Sequence, residues 1–113
     1  MRRDWLIVAA ALSAAVAIGA GAFGAHGATG DAGELLKTGG LYQMVHAVAA
    51  VALANRARGA TWLMLAGAAV FAFSLYGLAI GAPRIVGAIT PIGGLGLIAG
   101  WIWVALSAGG ARR

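Results

Sequence analysis

The chain has two histidines, and each stands where an apolar run meets a polar stretch. His26 closes the segment GAGAFGAHG, and His46 ends LYQMVH, four residues after Tyr42 and three after Gln43. On a helix those spacings place Tyr42, Gln43 and His46 on neighbouring positions of one face. An imidazole pair facing across two helices can ligate a haem or a metal or contact a quinone, which makes His26 and His46 a candidate cofactor site. Ser74, Tyr76 and Thr90 belong to the same sparse polar set, because the topology below brings them to the same end. The same residues also read as plain interhelical hydrogen bonds, worth about 0.6 to 2 kcal/mol each in a membrane. No carboxylate lies within the apolar runs to relay protons, Glu34 and Asp31 being the nearest acids. With no cysteine, disulfides, thiolate zinc sites, iron–sulfur clusters and thiol catalysis are excluded together. No metal site is expected, and nothing in the sequence requires a cofactor.

The elements that must carry these residues follow from composition. Of 113 residues 62% are hydrophobic and 10% charged, against about 25% charged in ordinary soluble domains. The chain is therefore expected to be an all-α integral membrane protein forming one domain, residues 1–113. Apolar runs predict spans at about 5–25, 41–55, 60–80 and 86–108, with a polar outer connection at 27–40. A secretory signal peptide competes for the first run, since Arg2 and Arg3 form a basic leader and the run ends in small residues; we expect it to span instead. The second span is short, roughly 22 Å of rise, and should borrow length from the connection through Gly39 and Gly40. In that connection Asp31 followed by Glu34 resembles a capping box.

Short loops predict antiparallel neighbours in a four-helix up-and-down transmembrane bundle. Arg2, Arg3, Arg56, Arg58, Arg112 and Arg113 fall on one side, against Lys37 and Arg84 on the other. Both termini are therefore expected to be cytoplasmic, in a bacterial plasma (inner) membrane. The net charge of +5 is a topology signal; no basic stripe interleaved with aromatics points to nucleic acid. Trp5, Trp62, Trp101 and Trp103 suit interfacial anchors, the last two alternatively packing residues. In this topology the outer third of the bundle holds nearly all polar side chains, with His46 reaching Ser74, Tyr76 or Thr90.

Glycine is the other signal. Ala17, Gly21 and Ala25 recur every four residues, and Gly96 and Gly100 form a G-x-x-x-G pair. Together with Gly77, Gly81 and Gly93 they are candidate helix-packing positions, because small residues let backbones approach. In ITPIGG, Thr90 suits an N-cap and Pro91 a first helical turn, leaving 85–89 as an entry segment.

GAFGAH (Gly21 to His26), YQMVHAVA (Tyr42 to Ala49), FSLYGLAIG (Phe73 to Gly81) and GAITPIGGLGLIAGW (Gly87 to Trp101) resemble the small four-span membrane proteins grouped as domain of unknown function 423, which include the transmembrane protein 256 group. The resemblance covers nearly the whole chain and implies four spans, without an established activity or a catalytic residue. The leading expectation is a non-enzymatic structural or accessory subunit, surrounded by membrane lipid, associating with a larger respiratory, photosynthetic or transport complex or with copies of itself. A histidine-based haem, metal or quinone site is the alternative, and a small transporter the third reading.

Overall fold

The computed structural model describes residues 3–110. Arg2, Arg112 and Arg113, used above for orientation, lie outside the described residues.

Helix α1 is Trp5–His26, α2 Gly30–Leu53, α3 Arg58–Ala79 and α4 Thr90–Gly110, with a 3-10 turn at Arg84–Ala88 before α4. No strand occurs among the described residues. Asp4 starts α1 by accepting the amide hydrogens of Leu6 and Ile7 at 3.0 and 3.4 Å, satisfying two of the donors a helix start leaves open. α1 ends where the amides of Gly27 and Ala28 turn back to the Phe23 carbonyl at 2.7 and 2.8 Å. Gly30 (φ +60°) and Gly81 (φ +101°) take left-handed conformations that a side chain would strain. Gly81 is thus a turn residue after α3 and not the packing position expected of it.

Most of the expected outer connection 27–40 is helix. α2 runs unbroken through Gly39 and Gly40, so only Gly27–Thr29 separates it from α1. The capping box is absent: Thr29 is the N-cap residue, it makes no side-chain cap bond, and Asp31 stands within the first turn. Pro91 lies in the first turn of α4, where its missing amide hydrogen costs nothing.

Three stretches are long and apolar enough to cross a membrane: α1, α3, and Arg84–Gly109. α2 is long enough but carries Asp31, Glu34 and Lys37 near its start and Gln43 and His46 in its middle.

Neighbours in sequence pack antiparallel, since Gly24 meets Gly33 while Ala17 meets Gly40, and Gly59 meets Trp103 while Gly67 meets Gly93. α2 packs between α1 and α3, α3 between α2 and α4, and α1 touches α3 only at a margin. α1 and α4 do not meet, so the helices form a bent row of 51 × 32 × 19 Å, its thin dimension about two helix diameters. The antiparallel order of neighbours expected from short loops is present, but the first and last helices do not meet to close the bundle. Closing the ring would bring no hydrophobic gain where the surroundings are themselves apolar, so each outer helix stays with the partner it fits. Leu12, Ile18, Val48 and Ile98 on the outward faces are each more than half exposed, apolar area suited to lipid chains and not to water.

Candidate functional site

Helix α2 owes its place to two polar side chains on its buried face. Gln43, 1% exposed, donates from Nε2 to Ser13 Oγ on α1 at 3.1 Å and accepts from the Tyr76 hydroxyl on α3 at 2.7 Å. One amide therefore joins three helices. One turn on, His46 lies 2.7 Å from the Tyr42 carbonyl through Nδ1 and 2.9 Å from the Trp101 indole nitrogen on α4 through Nε2. A carbonyl only accepts and an indole N–H only donates, so Nδ1 carries the proton and Nε2 takes the indole hydrogen. Both ring nitrogens of this neutral imidazole are engaged. A third link joins α3 to α4: Ser74 Oγ donates to the Phe71 carbonyl at 2.7 Å and receives the hydroxyl hydrogen of Thr90 at 2.6 Å. Thr61 bonds the Arg58 carbonyl at 2.8 Å, and no buried polar side-chain atom among the described residues is without a partner.

His26 is exposed at the end of α1, in keeping with its place at the end of the first span, and lies beside the start of α2, because Gly24 lies against Gly33 and Leu36. Other expected placements change. His46 is about 13 residues farther along α2, or roughly 20 Å at 1.5 Å per residue, so the two imidazoles do not face each other. The paired-histidine cofactor site is not formed, and His46 has no ring nitrogen left for a ligand. Its interhelical partner is Trp101, not Ser74, Tyr76 or Thr90, so Trp101 serves as a packing residue, the alternative given for it. Tyr42 contributes its carbonyl, while its ring packs on Phe71 with centroids 4.6 Å apart.

Part of the polar set lies deeper than expected, while the Ser74–Thr90 pair stays near the end of α3 and the start of α4. Ser13 and Trp101 stand near the middle of α1 and α4, so the Gln43 and His46 bridges occupy the central layer and not the outer third. The tyrosine reach explains Tyr76: it starts near the end of α3 and extends its hydroxyl inward past Gly39, whose missing side chain makes room.

The seam between α3 and α4 is made differently. A Cβ on Gly67 would stand 3.0 Å from Gly93 O and Leu97 N, and one on Gly93 would run into Phe71 N and stand 2.8 Å from Gly67 O. At Gly100 it would run into the side chain of buried Met64, and at Gly96 it would be in ordinary contact with Gly67 at 3.4 Å, so both face α3. The tightest backbone approach is Gly67 with Gly93, itself one of the expected packing positions. Gly77 has only loose neighbours, at 3.6 Å and beyond. Gly21 supplies backbone against which Gly40 packs, while its own Cβ direction is open. Sequence reasoning missed Ser13, Gly40 and Gly67; an isolated hydroxyl in an apolar span was the available signal for Ser13.

At the end that holds the start of α1, Asp4 also pairs with Arg58 of α3 at 2.9 Å. The Arg58 guanidinium, bonded to it, is the main reason the Asp4 carboxyl is held below its ordinary 3.8.

Apolar outward faces, satisfied interior hydrogen bonds and spanning-length helices define a helical membrane protein. The chain belongs to the family described as protein of unknown function (DUF423), whose model matches residues 20–94. It is 39% identical to the UPF0382 membrane protein YwdK of Bacillus subtilis, over 90% of this chain and 94% of that one. It is 38% identical to the UPF0382 membrane protein SH2409 of Staphylococcus haemolyticus, over 89% of this chain and 92% of the relative. No solved structure matches the chain.

Proposed function

We propose that the protein is a non-enzymatic, four-span protein of the bacterial inner membrane that serves as a structural or accessory subunit of a larger membrane complex. The observation that carries this reading is the full internal use of the buried polar groups: Gln43, His46, Thr61 and Ser74 all hydrogen-bond within the chain. A catalytic or transport site needs polar groups aimed at a substrate; a scaffold needs them aimed at its own helices. In this reading α2 is the fourth span, tolerated in lipid because its amide and imidazole face inward. The basic residues at the Arg56 and Arg58 end favour the cytoplasm for that end and for both termini.

Solubilisation of native membranes in mild detergent tests the reading. A native-gel species well above the chain's own 11.2 kDa, with the same partner recovered when either component is tagged, is the expected result. A monomer with a visible absorption band would instead restore the cofactor reading. Cysteines introduced at Thr29 and Ala57 report the topology, with external label expected on Thr29 alone.

A further inference from the structure

Arg56 and Arg58 stand two residues apart at the turn between α2 and α3, yet their surroundings differ. Arg58 is neutralised by Asp4, at 2.9 Å. The remaining acidic side chains of the chain, Asp31 and Glu34, lie at the start of α2, at the opposite end of the molecule. Among the described residues Arg56 therefore has no carboxylate to pair with. Together with Asn55 and Ser107 it supplies the polar lining of a cavity of about 640 Å³, whose apolar lining includes Leu53, Val104 and Ala108. The cavity lies where the backbones of α2 and α4 stay apart and meet only through side chains such as His46 and Trp101, with α3 packed against both helices.

We infer that this cavity binds one anionic phospholipid, its phosphodiester against Arg56 and Asn55 and an acyl chain along Leu53 and Val104 toward Trp101. A guanidinium with no carboxylate partner among the described residues selects negative charge, and it donates to phosphate oxygens in a forked geometry. The apolar walls distinguish a lipid from a free phosphate ion, which would find nothing to occupy them. The inference rests on the four-span reading, which sets Arg56 at headgroup depth.

The intact protein, purified in detergent and exposed to an equimolar mixture of phosphatidylglycerol and phosphatidylcholine, should retain phosphatidylglycerol preferentially in native mass spectrometry. R56Q should lower that preference by about fivefold, the worth of one basic residue near a lipid surface, while R56K keeps most of it. R84Q, at the other end, should leave it unchanged. Equal losses in R56Q and R84Q, or displacement of the lipid by millimolar inorganic phosphate, would overturn the site. Arg56 is exposed in a turn, so R56Q is expected to fold, and gel filtration confirms it. If the cysteine labels at Thr29 and Ala57 fall on opposite sides while R56Q leaves the lipid ratio unchanged, the lipid site fails and the four spans stand. Labels on one side overturn the spans and the headgroup placement with them.

Discussion

The two seams of α3 hold its neighbours chiefly by different means. Toward α4, besides the Ser74–Thr90 hydrogen bond near one end, it offers bare backbone: Gly67 faces Gly93, and neither position has room for a methyl group. Toward α2 it reaches across with a long side chain, the Tyr76 hydroxyl on Gln43 at 2.7 Å. In lipid, where apolar surface gains nothing by leaving its surroundings, dispersion at close range and hydrogen bonds shielded from water are the two available attractions. The first tolerates no added atom. The second tolerates changes of shape but not the loss of a partner.

The largest expected effect is therefore at the glycine seam. Gly93→Leu forces a side chain against Phe71 and Gly67 backbone and should cost more than about 3 kcal/mol, or separate α4 outright, because overpacking already costs about 1 to 3 kcal/mol where side chains can move. Unfolding by denaturing detergent measures it. Gly96→Ala, which meets only ordinary contact at 3.4 Å, should be nearly neutral in the same assay. Equal losses at both positions would show that the seam is held by something other than backbone approach.

Next in size are the polar bridges. His46→Leu leaves the Trp101 indole without its acceptor, and Gln43→Leu leaves the Tyr76 hydroxyl without its acceptor and the Ser13 hydroxyl without its donor. Each should cost about 1 to 2 kcal/mol. His46→Gln keeps a donor and an acceptor and should recover part of the loss. A double-mutant cycle of Gln43→Leu with Tyr76→Phe isolates the bridge, and additive losses would mean that the two side chains do not act on each other.

The smallest effect is electrostatic and lies outside both seams. Asp4 has a folded pKa below its ordinary 3.8, chiefly through Arg58. The carboxylate's contribution is therefore fully present above that ordinary value and is lost as pH falls through the lowered one. The pair is exposed, so added salt should weaken it. Comparison of wild type with Asp4→Asn in acid, at low and high salt, should show the acid-dependent difference shrinking as salt rises.

Hydropathy and length are sums over a run of residues, so the helices, the membrane class and the antiparallel order of neighbours were legible in the chain alone. Helical period also placed Gln43 and His46 near one another, because i, i+3 spacing is local geometry. Family motifs from GAFGAH to GAITPIGG carried the assignment. What only the tertiary structure decided was the partner of each such residue. Ser13 for Gln43, Trp101 for His46 and Gly67 for Gly93 depend on how far one helix slides and turns along the next, and no local pattern encodes that offset. The same offset separates His26 from His46. The open row has the same origin: sequence order names each helix's neighbours, but whether the first and last helices meet depends on the angles at every seam between them, set by which positions lack a side chain.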